Sequence, residues 1–166
     1  FGAASGEAFI SGIQHSIENN MPFIFFSCSG GQRMMESSIA LMQMTRTTLA
    51  INELKKNNLP YIVVITSPST GGLQASIAST GDICIGEKGA TMAFAGKRIV
   101  QATEKTELPD DFQTVEWQMK KGQVDMVLNR KDIMRTIGTL LSILLKKNTT
   151  KNSEENDSLT DSLSQE

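Results

Sequence analysis

PYIVVITSPSTGGLQASIA, which spans Pro60–Ala78, joins an apolar run to a polar turn and then to two adjacent glycines. The run Tyr61–Ile65 is mostly β-branched, which predicts a strand buried on both faces of a parallel sheet. Turn chemistry around Pro68 follows, and Gly71 and Gly72 then open a predicted helix. The stretch therefore predicts a strand, a loop and a helix N-terminus in succession.

Gly71 and Gly72 are candidates for binding an anion. Because glycine has no Cβ, the backbone can approach a ligand closely. Unpaired N–H groups at a helix start also point outward, with the positive end of the helix dipole behind them, and this arrangement holds an oxyanion. A glycine pair can equally serve only to make a tight turn, so the pair alone leaves both interpretations open.

The composition is that of a soluble globular domain. The chain has 166 residues, of which 39% are hydrophobic and 20% are charged. Its apolar runs are far shorter than the roughly 20 residues that span a bilayer, and no basic region precedes an apolar stretch at the N-terminus. We therefore expect a cytosolic chain with neither a membrane span nor a signal peptide. The net charge of −2 and the scattered basic residues do not support a nucleic-acid-binding surface.

Neither the cysteines nor the histidine suggests a metal site. Cys28 and Cys84 lack metal-ligand spacing and lie in or beside apolar runs, so we expect two buried thiols. His15 lies off the apolar face of a predicted helix that we expect Ser5 to cap and that extends to about Glu18. We therefore expect His15 on the surface rather than as a catalytic base.

An earlier part of the chain shows the same order of strand, glycine turn and helix. Pro22–Ser27 predicts a second buried strand, Gly30 and Gly31 follow it, and a helix is predicted from Met34 to about Asn57. The carboxyl ends of adjacent parallel strands meet at the sheet edge where α/β proteins bind ligands, so we expect both glycine turns there. The helix carries apolar residues at helical spacing that we expect in the core: Met35, Ile39, Met42, Leu49 and Leu54.

The rest of the chain continues the alternation. A third glycine turn contains Gly96, and a terminal amphipathic helix is predicted over Lys131–Lys147. Polar composition predicts a disordered tail over 148–166, after a core over 1–147. We expect Asp82 to be a cap or turn residue rather than a catalytic one. Further short strands are predicted over Asp82–Gly86, Ala90–Phe94 and Val124–Leu128.

Five motifs follow one another in a fixed order. They are SGGQRM at Ser29–Met34, LMQM at Leu41–Met44, TSPSTGG at Thr66–Gly72, GDI at Gly81–Ile83 and FAGKR at Phe94–Arg98. In order and spacing they resemble the carboxyltransferase β subunit of acetyl-CoA carboxylase. Five linked motifs are far more specific than one glycine pair, and the resemblance covers roughly residues 2–145.

The resemblance implies an α/β fold of the crotonase (ClpP-like) type, in which repeated β-β-α units pack as a superhelix. Bacterial members also carry an N-terminal four-cysteine zinc ribbon that this sequence lacks. We therefore expect an N-terminally incomplete carboxyltransferase core, with zinc only in the absent ribbon. Three positions depart from the usual pattern: Gln32 replaces Ala, Ser79-Thr80 replaces a more apolar pair, and Gly86-Glu87-Lys88 replaces Ala-Glu-Pro.

The activity implied by the resemblance is the first committed step of fatty acid synthesis. A carboxyl group passes from carboxybiotin, on a biotin carboxyl carrier protein, to acetyl-CoA and gives malonyl-CoA, with the biotin ureido nitrogen as the base. We assign Gly71 and Gly72 as catalytic, because their amides would stabilise the anionic thioester oxygen. The candidate substrate-binding residues are Gly30, Gly31, Arg33, Gly96, Lys97 and Arg98. The cations among them would meet CoA phosphates, or else be solvated or interface charges.

The resemblance also implies partners. These are a carboxyltransferase α subunit, in a tetramer of two α and two β chains, the biotin carrier, and the biotin carboxylase of the holoenzyme. A bacterial cytoplasm is expected, with a plastid stroma as the alternative. Two other functions stay open. One is another crotonase-fold acyl-CoA enzyme, such as a hydratase or half of a propionyl-CoA-type carboxyltransferase; the other is a noncatalytic scaffold or truncated product.

Overall fold

The helices and strands follow the predicted alternation. The computed structural model describes residues 1–104 and 107–145, so the predicted tail over 148–166 lies outside the described residues. Phe1–Arg130 form one compact unit, and Lys131 begins a second. The elements are α1 (Ala3–Glu18), β1 (Phe23–Ser29), a 3-10 turn (Met34–Glu36), α2 (Ser37–Lys56), β2 (Tyr61–Thr70), α3 (Gly71–Ser76), a second 3-10 turn (Ala78–Thr80), β3 (Ile83–Glu87), β4 (Met92–Ala93), α4 (Lys97–Glu104), α5 (Val115–Lys120), β5 (Met126–Leu128) and α6 (Arg130–Leu144). None of the described helices is long and apolar enough to cross a membrane.

A parallel sheet organises the first unit. Its strand order is β1-β2-β3-β5, and β4 lies beside the last residues of β2. Each of these neighbouring pairs is parallel, which confirms the predicted α/β class. Tyr61–Ile65 of β2 is fully buried, as its β-branched run predicts, because β2 is central and is covered on both faces.

The predicted turn after Ile65 is wrong, because β2 continues as a strand to Thr70. Ser69 and Thr70 pair with Met92 and Ala93 of β4, and the Ser69 N–H donates to the Thr91 carbonyl at 2.9 Å. Pairing with a distant segment has therefore overridden the local turn chemistry.

β1 is less buried than its apolar sequence predicts. It is longer than expected, and among the described residues it pairs with β2 alone, which makes it an edge strand. Phe26 is 49% exposed and Cys28 is exposed, so the expectation of two buried thiols is wrong for Cys28. On its other face β1 packs against α1, where the Phe9 ring meets the rings of Phe23 and Phe25 edge to face at 5.3 and 5.0 Å.

α2 turns a different face to the core than its apolar pattern predicts. Of the five residues expected in the core only Leu54 is buried; Met35, Ile39, Met42 and Leu49 are exposed. The buried face includes polar side chains, and these satisfy their own hydrogen bonds: Thr47 Oγ1, for example, donates to the Gln43 carbonyl at 2.8 Å. The face that is buried consists of Ala40, Gln43, Thr47, Ile51 and Leu54.

α1 begins two residues before Ser5, so the predicted Ser5 cap is wrong. Gly2 occupies the N-cap position and makes no side-chain cap. The Ala3 N–H donates instead to Oε2 of Glu36, at 2.6 Å. A carboxylate from a distant part of the chain therefore satisfies a free amide of the first turn, a partner that local sequence cannot reveal.

Two aspartates hold the beginnings of neighbouring strands. Asp82 Oδ2 accepts the Tyr61 N–H at 2.9 Å, and its Oδ1 lies 3.0 Å from Lys55 Nζ. Asp125 Oδ2 accepts the Cys84 N–H at 2.7 Å, so the same arrangement recurs one strand further along. The Asp82 carboxylate therefore fixes the start of β2.

α6 confirms the predicted terminal helix as far as Leu144, and the predicted end at Lys147 lies outside the described residues. Ile133 and Ile137 are buried, whereas Ile143 is exposed.

The two thiols should react differently with maleimide. Burial raises the pKa of Cys84 to about 12, so this thiol stays protonated at pH 8, whereas Cys28 is exposed. In the folded protein we expect rapid modification of Cys28, with Cys84 modified only after unfolding, as measured by peptide mass spectrometry. Labelling of Cys84 at the rate of Cys28 would contradict the burial of β3, and a Cys28→Ser variant provides the control.

Candidate functional site

The two predicted glycine turns meet, backbone against backbone. A Cβ added at Gly71 would lie 3.1 Å from the Gly31 Cα, and one added at Gly31 would lie 3.4 Å from the Gly71 Cα. Both residues have positive φ, +65° at Gly71 and +121° at Gly31, a conformation that residues with a Cβ rarely adopt. We call Gly30, Gly31, Gly71 and Gly72 the glycine site, and the prediction that both turns share one sheet edge is confirmed.

Hydroxyl groups align the strand ends that carry these turns. Ser29 of β1 is the register partner of Ser69 of β2. The Ser27 and Ser69 Oγ atoms lie 2.8 Å apart, and Thr66 Oγ1 donates to the Ser27 carbonyl at 2.6 Å. These supporting residues are missing from the sequence prediction, although small hydroxyl residues at the ends of two apolar runs are a usable signal for such cross-strand bonds.

The amides of Gly71 and Gly72 have different surroundings. The Gly71 N–H donates to the Phe94 carbonyl at 3.1 Å, so it already has an acceptor and is not a free oxyanion donor. Gly72 lies in the first turn of α3, where an N–H has no partner within the helix. The Gly72 N–H forms no hydrogen bond with the described residues. Of the two amides predicted as oxyanion donors, the Gly72 N–H therefore stays the candidate.

The bond to Phe94 also brings the third glycine turn to the site. Phe94 begins the turn that contains Gly96, and two glutamines hold its backbone. Gln113 Nε2 donates to the Ala95 carbonyl at 2.6 Å, and Gln118 Nε2 donates to the Met92 carbonyl at 2.7 Å. Sequence reasoning did not single out either glutamine, because their partners are backbone carbonyls with no residue-type signature.

Two side chains form the wall behind Gly72. A Cβ added there would lie 2.7 Å from Met44 Sδ and 2.8 Å from Gln32 Cγ. Gln32 is held in turn by its Nε2, which donates to the Ala40 carbonyl at 2.7 Å. Gly72 is buried, so a ligand at its N–H would be largely shielded from water.

Two cavities adjoin the glycine site. One of about 400 Å³ is lined by ten residues, among them Gly30 and Gly31. The other, of about 360 Å³, is lined by Gln32, Arg33, Met34, Ser37 and Leu41. Arg33 lines both cavities, and its role as a substrate-binding cation stays a prediction. Lys97 and Arg98 do not line either cavity and instead begin α4.

The site offers dipoles rather than an acid–base pair. The titratable side chains lining the two cavities are Arg33 and Glu36, and they form an ion pair with Nε 3.6 Å from Oε1. This ion pair leaves both predicted roles of Arg33 open, because its side chain is 58% exposed. His15 is exposed on α1, where its Nδ1 lies 3.2 Å from Asn19 Nδ2. No base is therefore presented by the described residues of the cavity walls.

Shifted pKa values occur away from these cavities. Burial raises the pKa of Tyr61 well above its ordinary range. Hydrogen bonds from Arg130 lower the pKa of Glu87, and a hydrogen bond from Lys120 lowers the pKa of Asp111. Each of these shifts follows from a structural contact.

Gly71→Ala should destabilise the fold, because Ala must adopt a positive φ and place its Cβ against the Gly31 backbone. We expect a loss of about 1–3 kcal/mol in the free energy of unfolding, measured by chemical denaturation of the full-length subunit. Gly30→Ala is the matched control, since its φ is not positive and no atom lies within 4 Å of an added Cβ. Equal stability of the two variants would contradict the close approach of the turns.

Comparison with known protein families places the chain among carboxyl transferases. The carboxyl transferase domain family profile matches residues 1–165. The chain is 60% identical over 161 residues to the acetyl-coenzyme A carboxylase carboxyl transferase subunit beta of Pelagibacter ubique, a match that covers 97% of this chain and 52% of that protein. It is 48% identical over 146 residues to the subunit of the same name from Sinorhizobium medicae, covering 88% of this chain and 48% of that protein. The chain thus spans about half the length of the curated relatives it matches.

A solved structure supports the same fold. Transcarboxylase 12S, crystallised with methylmalonyl-coenzyme A and methylmalonic acid bound, superposes with a TM-score of 0.74 and 26% sequence identity. The superposition covers 82% of this chain and 27% of the transcarboxylase chain. This likeness confirms the predicted crotonase-type α/β fold.

Proposed function

The chain belongs to the carboxyl transferase domain family, and we propose that it forms the acyl-CoA side of the carboxyltransferase site in the β subunit of an acetyl-CoA carboxylase. The proposed reaction moves a carboxyl group from carboxybiotin, on a biotin carboxyl carrier protein, to the methyl carbon of acetyl-CoA. The relatives' names support this substrate. The structural observation that carries the proposal is the N–H of the buried Gly72, which has no partner among the described residues where the glycine turns converge.

The chemical difficulty of the reaction is formation of an enolate. Loss of a proton from the methyl group of acetyl-CoA places negative charge on the thioester oxygen. A fixed amide donor aimed at that oxygen stabilises the charge as it develops, and one such donor contributes about 3 kcal/mol. Gly72 is the donor, and its burial strengthens the interaction by excluding water.

Gly31 and Gly71 have a different task in this proposal. They let the two turns approach each other beside Gly72, because a Cβ on either residue would contact the backbone of the other turn. The Gly71 N–H also donates to the Phe94 carbonyl, and this bond fixes the start of α3. Gly71 therefore holds the turn in place, and Gly72 supplies the proposed donor.

Biotin fits this donor set as a delivered reactant. The titratable side chains of the two cavity walls, Arg33 and Glu36, are paired with each other, so the described residues of these walls present no unpaired side-chain base that would compete with it. When delivered, carboxybiotin supplies the carboxyl group and, through its ureido nitrogen, the base. This chain's residues hold the thioester carbonyl and keep water away from it.

The proposed assembly contains further chains. The relatives are named as subunits, which supports a complex. A carboxyltransferase α subunit, in a tetramer of two α and two β chains, would supply the donors for the biotin carbonyl, and a biotin carboxylase would complete the holoenzyme. Lys97, Arg98 and Arg33 are the proposed partners of the CoA phosphates. Both named relatives come from bacteria, which favours the bacterial cytoplasm over the plastid stroma.

A second candidate substrate has support from the fold comparison. Transcarboxylase 12S carries methylmalonyl-coenzyme A in its crystal structure, so a propionyl-CoA-type carboxyltransferase is the alternative. Both candidates use the same enolate chemistry and differ only in the acyl group.

Reconstitution tests the proposal directly. The full-length subunit, its α partner and the carboxylated biotin carrier are combined with acetyl-CoA or propionyl-CoA, and the carboxylated product is quantified by mass spectrometry. We expect malonyl-CoA to form, at a kcat/KM above that for propionyl-CoA. A preference for propionyl-CoA would support the alternative, and no product from either thioester would overturn carboxyl transfer.

Gly72→Pro should abolish most of this activity by removing the N–H while leaving a residue that is tolerated in the first turn of a helix. Gly72→Ala is the matched control, because it adds a Cβ near Met44 and Gln32 but keeps the N–H. We expect kcat of the Pro variant to be at least about 100-fold below that of the Ala variant. Thermal unfolding of both variants checks the fold, and equal kcat values in folded proteins would exclude the Gly72 amide as the donor.

A further inference from the structure

The side-chain oxygen of Gln32 is buried and has no hydrogen-bond partner among the described residues. Its orientation follows from the other end of the same amide, because Nε2 donates to the Ala40 carbonyl at 2.7 Å. Exchanging the two atoms would place one carbonyl oxygen against another. Gln32 Oε1 is therefore an acceptor in need of a donor, and such a group costs about 1–3 kcal/mol when it is left unpaired.

Gln32 also adjoins the site of the proposed chemistry. Its Cγ and Cδ lie 2.8 and 3.2 Å from the position that a Cβ on Gly72 would take. The same residue lines the 360 Å³ cavity with Met34 and Leu41, whose side chains are 86% and 59% exposed. One wall of this cavity is therefore formed by solvent-exposed side chains.

We propose that Gln32 is a substrate-binding residue whose Oε1 accepts a hydrogen bond from the amide N–H nearest the thioester in the pantetheine arm of acyl-CoA. This inference rests on the proposed function. In an acyl-CoA that amide is the first N–H donor beyond the sulfur, separated from it by two methylene groups. With the thioester oxygen on the Gly72 N–H, the arm passes Gln32, and its amide supplies the donor that Oε1 lacks.

The role of such a bond is discrimination. A thioester with the N–H satisfies the buried acceptor, whereas an analogue with oxygen in that position leaves it unpaired and places two acceptors together. The oxygen analogue is therefore a poorer substrate, even though its shape is nearly the same, because binding it leaves the buried Gln32 Oε1 without a donor.

A matched pair of small thioesters tests the proposal. S-acetyl-N-acetylcysteamine retains the amide N–H, and 2-acetoxyethyl thioacetate has an ester oxygen in its place. Carboxylation of each is measured with the full-length subunit, its α partner and the carboxylated carrier. We expect the wild type to prefer the amide thioester by roughly tenfold in kcat/KM, on the scale of one buried hydrogen bond.

Two variants separate the oxygen of Gln32 from its bulk. Gln32→Met keeps the length of the side chain without the acceptor, and Gln32→Leu repeats the test if the Met variant does not fold. Both should lose the preference, whereas Leu41→Ala, which alters the same cavity, should keep it. A preference that survives in the folded Gln32 variants, or no preference in an active wild type, overturns this inference and leaves the proposed function standing. A wild type that neither carboxylates nor, by calorimetry, binds either thioester or acetyl-CoA overturns both.

Discussion

The approach of two backbones at Gly31 and Gly71 is the constraint on which the rest of the site depends. Each turn follows the end of a parallel strand, and the register of β1 against β2 sets them side by side. A Cβ added at Gly71 would lie only 3.1 Å from the Gly31 Cα, and both residues adopt a positive φ that favours glycine. The hydroxyl contacts among Ser27, Thr66 and Ser69 hold the strand ends in this register, so they support the site without lining it.

The proposed chemistry rests on the contrast between adjacent amides. The Gly71 N–H fixes the start of α3, and the N–H of the buried Gly72 has no partner among the described residues. A helix that begins this way presents a preorganised dipole, which needs no reorientation when charge develops on a ligand. The carboxyl transferase family membership fits such a site, since transfer to a thioester needs charge stabilisation on the acyl side.

Much of the fold follows from residue patterns. The β-branched run of β2 predicts a central strand, and the repeated glycine pairs predict turns at one sheet edge, because these features depend on local chemistry. The buried face of α2 could not be predicted from its apolar pattern. Its buried positions include Gln43 and Thr47, which satisfy their polar groups within the helix. Ser5 fails as a cap for a related reason: the carboxylate that caps α1 belongs to Glu36, far along the chain.

The candidate site is predicted in part. Its glycines could be identified from sequence as paired turn residues, and the positive φ of Gly31 and Gly71 is a conformation that favours glycine. The hydrogen bond of the Gly71 N–H could not be predicted, because its acceptor is a main-chain carbonyl and every residue has one. The roles of Gln113 and Gln118 could not be predicted for the same reason, since both donate to backbone carbonyls in or beside the third turn.

The hydrogen bond from the Gly71 N–H to the Phe94 carbonyl has a consequence for how the sequence can change at position 94. It uses only the carbonyl of Phe94, while the aromatic ring is 66% exposed. Evolution can therefore exchange that ring for another side chain without disturbing the link, and the surface it occupies can be shaped for different neighbours while the underlying scaffold keeps its form.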